Sequence, residues 1–145
     1  MEEAYEVSLI SDFESLLSFS CGVKSLNDFI HSELEVYAKN HYCSAYLVST
    51  KNGRKDTVAI FALAFDSIVL DADDFDEMNS GISDTGRPKV DENHRIKFER
   101  KSVCPALEIA YLAVSEDFQH KNVGKAIVDE IAEYARRQTL AGCIF

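Results

Sequence analysis

A short polar segment of the chain, "SEDFQHKNVGKA" (115–126), has the residue types that bind anions. It follows an apolar run and precedes an amphipathic one, which predicts a strand, a loop and the start of a helix. A helix start offers unpaired N–H groups and the positive end of the helix dipole. Gly124 lets a ligand approach the backbone because it has no Cβ. Lys121 and Lys125 add positive charge in a chain of net charge -10. The segment therefore predicts a phosphate-binding loop.

Two well-known phosphate-loop patterns are absent from this segment. In the pattern GxxxxGK[ST], Gly124-Lys125 would have to be followed by Ser or Thr, but Ala126 stands there, and no Gly lies five residues before Gly124. The pattern GxGxxG is absent as well. Kinase, NTPase and Rossmann interpretations therefore lose their main support. The simplest alternative is an ordinary strand–helix connection with a helix cap.

A third pattern fits the loop. Gln119-His120-Lys121-Asn122-Val123-Gly124 resembles the signature Gln/Arg-x-x-Gly-x-Gly/Ala of the GCN5-related N-acetyltransferases (GNAT). Asn122 departs from the signature at the first Gly position, but Asn is the non-Gly residue that tolerates positive φ best. The segment "FSCGVKSLNDFI" (19–30) resembles the F-x-C-G…LN-x-F helix of a family branch that includes acetyltransferases of toxin–antitoxin pairs. The resemblance covers nearly the whole chain, with 71–102 as an insertion.

The resemblance implies that the chain binds acetyl-CoA as acetyl donor. The backbone of the strand residues before the loop would pair with the pantetheine arm, and the loop amides would hold the pyrophosphate. The implied cofactor-binding residues are Leu112, Ala113, Val114, Gln119, His120, Lys121, Asn122, Val123, Gly124 and Lys125.

Glu108 is the candidate catalytic residue. A primary amine is an ammonium of pKa about 10, so a base must accept its proton before it attacks a thioester. Glu108 is the only charged residue in "PALEIAYLAV" (105–114), and some protein-lysine acetyltransferases of the family keep a catalytic Glu at that place. We expect it to be partly buried; the alternative is an ion-paired or solvent-facing carboxylate. A backbone N–H near Leu112 would meet the oxyanion. The general acid, often a Tyr in this family, is expected beyond Phe145, because Tyr111 should point away from the face of Leu112.

Composition limits the other classes of function. The net charge of -10 and the lack of a Lys/Arg block make nucleic acid an unlikely partner. No apolar run reaches the ~18 residues of a membrane span, and the start "MEEAYEVSLI" lacks a basic region. The cysteines and histidines show no metal-ligand spacing, and isolated cysteines favour the cytoplasm. The four cysteines are Cys21, Cys43, Cys104 and Cys143. We expect no metal, and leave a homodimer open.

Hydrophobic periodicity predicts the elements that position these residues. Strands are expected over 4–10, 44–50, 57–70 and 105–114, helices over 12–17, 25–40 and 123–138, and the start of a strand over 140–145. Ser25 and Asp28 resemble a capping box. We therefore predict an α/β fold, a GNAT-like mixed, mostly antiparallel sheet flanked by helices. It would form one domain, 1–145, whose C-terminal part is missing because a final apolar strand needs partners. The polar insertion at about 71–102 is expected to be a solvated loop or to attract a cationic amine to the acceptor site.

The predicted function is transfer of an acetyl group from acetyl-CoA to a primary amine of a small molecule or a protein. Two alternatives remain open. One is a catalytically silent module for CoA binding or protein interaction. The other is a toxin that acetylates aminoacyl-tRNA, which the "FSCG…LNDF" segment favours and the acidic charge disfavours.

Overall fold

The computed structural model describes residues 4–69, 73 and 103–142. Apart from residue 73, the predicted insertion at 71–102 lies outside the described residues. The strands are β1 (Tyr5–Leu9), β2 (Ser44–Thr50), β3 (Thr57–Val69) and β4 (Val103–Val114). The helices are α1 (Lys24–Ser32), α2 (Leu34–Lys39) and α3 (Val123–Arg137), with 3₁₀ turns at Glu14–Ser18 and Glu116–Phe118. No described helix combines the length and the hydrophobicity needed to cross a membrane.

The chain divides into two compact units, residues 1–64 with 108–134 and residues 65–107 with 135–145. All predicted site residues, from Glu108 to Lys125, belong to the first unit. The prediction of a single domain over 1–145 stays a prediction.

The four strands form one sheet in the order β1-β2-β3-β4. β1 pairs antiparallel with β2, and β2 with β3, so that Val7 lies opposite Val48 and Leu47 opposite Ile60. Within the described ranges, β4 has a strand neighbour on one side only. The predicted fold class, a mostly antiparallel sheet flanked by helices, is confirmed.

One face of the sheet packs against α1, α2 and the first 3₁₀ turn. Small side chains on the strands leave room for the larger side chains that the helices contribute. The buried cluster consists of Leu16, Phe19, Cys21, Ile30, Leu34, Cys43, Ala45, Ile60, Ala62 and Ala113. Alternate strand residues point the other way, and Tyr46, Phe61 and Leu63 line a cavity of about 260 Å³ together with Ile127 and Ile131 of α3. Helices therefore cover both faces, which positions the start of α3 beside the end of β4.

The single helix predicted over 25–40 is in fact two helices, interrupted at Glu33 (φ -117°, ψ -32°). The hydroxyl of Ser32 donates to the carbonyl oxygen of Asp28 (2.6 Å). Such a bond competes with the backbone ladder and bends helices. The predicted end near Asn40 is confirmed, because α2 ends at Lys39.

The predicted capping box is wrong. α1 begins at Lys24, and the residue at its N-cap is Val23, which makes no side-chain capping bond. Asp28 instead accepts a hydrogen bond from Lys24 Nζ at 2.6 Å, in an ion pair one turn apart. Ser25 therefore lies inside the first turn rather than ahead of it.

The strand predicted over 140–145 is not formed at 140–142, where the backbone is irregular. The side-chain amide of Gln138 hydrogen-bonds to both backbone groups of Ala141, so neither group is available for a strand ladder. The remaining positions, 143–145, lie outside the described residues.

The packing of α2 against the sheet gives a first test. Leu34 is 1% exposed and Val36, on the same helix, is 58% exposed. We expect Leu34→Ala to lower the free energy of unfolding by about 2–5 kcal/mol, because it removes buried methyl groups and leaves a cavity. Val36→Ala, the matched control, should change it by less than about 0.5 kcal/mol. Urea unfolding measures both, and equal effects would contradict the described packing.

Candidate functional site

The connection between β4 and α3 is fastened to two other parts of the first unit. The amide of Ser115 donates to the carbonyl oxygen of Val58 in β3 (2.9 Å). The amide of Glu116 donates to the carbonyl oxygen of Ser20, in the segment before α1 (3.1 Å). The strand end is therefore fixed before the chain enters the loop.

The loop reverses through two residues in the left-handed region, His120 (φ 61°) and Asn122 (φ 58°). The sequence leaves the φ of Asn122 open, and the structure gives it the positive value that the loop requires. This residue occupies the first Gly position of the signature, and Asn adopts that conformation more readily than other non-Gly residues. The substitution therefore leaves the turn geometry in place.

The start of α3 presents free backbone amides. The first hydrogen bond of the helix runs from Ala126 N–H to the carbonyl oxygen of Asn122 (3.1 Å). In the part of the chain that the structure describes, the amides from Asn122 to Lys125 donate no hydrogen bond. A Cβ added at Gly124 would meet only Val114 Cγ2, at 3.6 Å. The loop thus combines several unpaired donors with an uncrowded backbone at the positive end of α3.

The two lysines of the loop are already engaged within the protein. Lys121 Nζ donates to the carbonyl oxygen of Asp117 (3.0 Å) and lies 5.4 Å from the centre of the Phe118 ring. Lys125 Nζ forms an ion pair with Asp129 Oδ2 at 2.7 Å, and both side chains are mostly exposed. The charge of Lys125 is therefore partly compensated, so any attraction for an anion depends more on the backbone amides and Lys121.

Gln119 has a defined place inside the protein. Its Nε2 donates to the carbonyl oxygens of Cys21 (2.7 Å) and Val114 (3.0 Å). The side chain therefore holds the loop to the strand end and to the segment before α1. A cofactor contact by Gln119 stays a prediction.

The strand residues predicted to pair with a cofactor lie at the end of β4. The side chain of Ala113 is buried in the core, and those of Leu112 and Val114 are half-buried. Because β4 is the last strand of the sheet within the described residues, its outer edge carries N–H and C=O groups without a strand neighbour there. This edge leads directly into the loop amides.

Glu108 is exposed on β4, so its predicted partial burial is wrong. Ala106, two residues before it and on the same side of the strand by alternation, is buried, so the burial on that side does not extend to Glu108. No ion pair of Glu108 is found among the described residues. An exposed carboxylate can accept a proton from a group in solvent, and the exposure of Glu108 fits the solvent-facing alternative equally well.

Tyr111 packs inward against α1. Its ring stacks on Phe29, with the centroids 4.0 Å apart and the planes at 20°. Burial raises the pKa of Tyr111, and Tyr37, Cys43 and acidic neighbours that include Glu108 raise it further. The phenol therefore stays protonated at neutral pH.

A hydrogen-bond network between residues 20–27 and the loop was missed as part of the site. Asn27 Oδ1 accepts from the amide of Cys21 (2.9 Å) and from its Sγ (3.1 Å). Asn27 Nδ2 donates to Ser20 Oγ (3.1 Å), and Ser20 Oγ donates to Glu116 Oε2 (2.6 Å). The sequence segment "FSCG…LN" contains Ser20, Cys21 and Asn27, but it does not indicate that they contact Glu116.

No group of three or more His, Cys, Asp or Glu side chains that could hold a metal ion occurs within the described ranges. The three cysteines there, Cys21, Cys43 and Cys104, are free and buried.

The comparison with protein families gives one match. Residues 97–145 match the model of the acetyltransferase (GNAT) family. This range contains the end of β4, the loop and α3. The comparison with curated proteins found no match.

Solved structures match over most of the chain. A tyrosine-to-phenylalanine mutant of KacT is similar with a TM-score of 0.67 and 16% identity, over 97% of this chain and 75% of that one. AtaTR bound with acetyl-CoA gives a TM-score of 0.63 and 16% identity, over 99% of this chain and 74% of that one. AtaT complexed with acetyl-methionyl-tRNAfMet gives a TM-score of 0.59 and 14% identity, over 88% of this chain and 66% of that one. For two further AtaT structures the chain spans 62% of their length.

These similarities confirm the resemblance on which the prediction of fold rested. Identities of this size establish a shared fold, and the family match covers the segment that carries the loop. The chain has the fold of the GNAT acetyltransferases.

Proposed function

We propose that this protein is an N-acetyltransferase that uses acetyl-CoA as acetyl donor. The observation that carries the proposal is the left-handed turn at Asn122 followed by unpaired amides at the start of α3. The amides from His120 to Lys125 would hold the pyrophosphate. The free edge of β4 at Leu112–Val114 would pair with the pantetheine arm. The match of residues 97–145 to the GNAT family supports this assignment.

Acetyl transfer requires a free amine. Glu108 accepts a proton from the acceptor ammonium, directly or through water, and the amine lone pair then attacks the thioester carbonyl carbon. The new C–N bond forms, the negative charge moves to the carbonyl oxygen, and the backbone N–H near Leu112 stabilises it. When the carbonyl re-forms, the C–S bond breaks and the departing sulfur takes up a proton. Tyr111 is not assigned to that last step, because its ring is stacked on Phe29.

The acceptor we favour is a primary amine of a small molecule or a protein, because the net charge of -10 disfavours a polyanionic partner. A second candidate acceptor is an aminoacyl-tRNA. Two observations support it: the similarity to AtaT complexed with acetyl-methionyl-tRNAfMet, and the "FSCG…LN" segment that contacts the loop. A catalytically silent CoA-binding module is the remaining alternative, and the exposure of Glu108 suits it.

A cytoplasmic location belongs to the same proposal. It is supported by the free thiols of Cys21, Cys43 and Cys104 and by the reducing conditions that such thiols favour. The single domain over 1–145 and a homodimer are further proposals that size-exclusion chromatography with light scattering would test.

Binding of the donor is the first expected outcome. Acetyl-CoA at 100 times its Kd should stabilise the folded chain by about 2.7 kcal/mol and raise Tm accordingly. S-acetyl-pantetheine, the control, lacks the pyrophosphate and should give a clearly smaller shift at the same concentration. Thermal unfolding measures both. The absence of a shift at millimolar acetyl-CoA would contradict the proposal.

Glu108→Gln should lower turnover by about 10²–10⁴-fold, because it removes the proton acceptor. The Kd of acetyl-CoA should not change, since the residue lies away from the loop. Release of CoA with a panel of amines and an aminoacyl-tRNA gives the rate and identifies the acceptor. Exposed Glu14 supplies the control variant, Glu14→Gln. If the wild type binds acetyl-CoA but turns over no acceptor, the silent module is favoured; unchanged turnover in Glu108→Gln would rule out this residue as the base.

Asn122 gives a test of the loop itself. Asn122→Gly should retain the acetyl-CoA affinity of the wild type and lose less than about 1 kcal/mol of stability, because Gly adopts φ 58° readily but gives the unfolded chain more freedom. Asn122→Val should lose about 1–2 kcal/mol of stability and bind acetyl-CoA more weakly, because a β-branched residue is strained at positive φ. Chemical denaturation and calorimetry measure the two quantities. Equal behaviour of the two variants would show that the left-handed turn does not matter.

A further inference from the structure

The hydrogen bonds of Gln119 link three parts of the first unit. Its Nε2 reaches the carbonyl oxygen of Val114, where β4 ends, and that of Cys21, before α1. Both acceptors are backbone oxygens, so the side-chain atom that faces them must be a hydrogen-bond donor and cannot be an acceptor. The bonds fix the distance between the strand edge and the loop, the two surfaces that a single extended ligand would have to contact together.

The Cys21 side of this link is itself held in place. Asn27, in the first turns of α1, accepts from the amide and the thiol of Cys21 and donates to Ser20 Oγ. Ser20 then donates to Glu116 Oε2, and the amide of Glu116 donates to the carbonyl oxygen of Ser20. Gly22 adopts φ 79°, and a Cβ there would lie 3.3 Å from Glu116 Oε1. The segment therefore approaches the loop closely and contacts it through several polar groups.

We propose that Gln119, Ser20, Asn27 and Glu116 form a positioning network that sets the affinity of the loop for acetyl-CoA. The inference rests on the proposed function, because it assigns residues that act on the donor through the loop. None of the four needs to contact the ligand. They hold the amides from His120 to Lys125 in the arrangement that receives the pyrophosphate.

The network lies at the edge of the hydrophobic core. Gln119, Ser20 and Asn27 are half-buried and Glu116 is exposed, whereas the apolar cluster between the helices and the sheet is fully buried. Loss of a network bond should therefore loosen the loop while the core keeps the chain folded. A purely structural role would instead change stability and leave the affinity of the folded protein unchanged.

The test compares the wild-type 145-residue chain with four single-substitution variants. Acetyl-CoA is the probe. Gln119→Glu keeps the shape of the side chain but places carboxylate oxygen against two carbonyl oxygens. It should raise the Kd of acetyl-CoA by about tenfold or more. Gln119→Arg restores donors only and should stay within about threefold of the wild-type Kd. Asn27→Ala, one bond further from the loop, should have an intermediate effect.

The matched control is Ile30→Val, a buried position on the same helix, which shortens a core side chain without removing a network bond. It should lower Tm and leave the Kd unchanged. The inference is overturned if Gln119→Glu binds as tightly as the wild type. It is also overturned if Gln119→Arg is as impaired as Gln119→Glu, or if Ile30→Val weakens binding as much. A wild type that does not bind acetyl-CoA overturns both this inference and the proposed function, whereas the other outcomes concern the network alone.

Discussion

The left-handed turn at His120 and Asn122 is the constraint on which the candidate site depends. A strand and a helix must be joined there so that the amides ahead of the first helical hydrogen bond point outward. A chain with ordinary negative φ at these positions would direct those amides elsewhere. Gly would adopt the turn without strain but would add conformational freedom to the unfolded chain. Asn adopts the same region while losing less entropy on folding, so its presence is compatible with a well-ordered loop.

The turn alone does not place the amides relative to the strand edge. That relation is set by long-range bonds from residues 20–27 to the loop, with the amide of Gln119 between the carbonyl oxygens of Cys21 and Val114. The sheet beneath supplies the fixed frame, because Ser115 is bonded to Val58 in β3. Site geometry therefore comes from an N-terminal segment, a central strand and the loop together.

An acidic protein can bind an anion if the binding groups are backbone N–H dipoles that point at the anion, so that no excess of Lys or Arg is needed. The net charge is -10, and Lys125 is paired with Asp129. Unpaired N–H groups and the helix dipole act over one turn and are little affected by distant carboxylates, which salt screens beyond about 10 Å at 0.1 M. The overall negative charge therefore affects binding of the acceptor, where it disfavours a polyanion, more than binding of the acetyl-CoA donor.

Hydrophobic periodicity sufficed to predict the strands, α3 and the loop between β4 and α3, because a buried face leaves a regular pattern. The positive φ of Asn122 was also predictable, from the residue type at a signature Gly. The break at Glu33 was not, because no Gly or Pro marks it, and it coincides with a bond from the Ser32 hydroxyl to the backbone of Asp28. Glu108 was expected to be partly buried from its apolar neighbours, yet it is exposed although Ala106, on the same side of β4, is buried. The bonds between Ser20 and Glu116 span 96 residues, and no local pattern encodes such a pairing.

The most direct test of the central claim is a map of amide shifts on adding acetyl-CoA to the ¹⁵N-labelled protein. The account predicts that the largest shifts fall on the amides from His120 to Lys125 and on Leu112–Val114, with saturation at a single Kd. Shifts confined to the cavity between α3 and the sheet, or spread weakly over the surface without saturation, would contradict it.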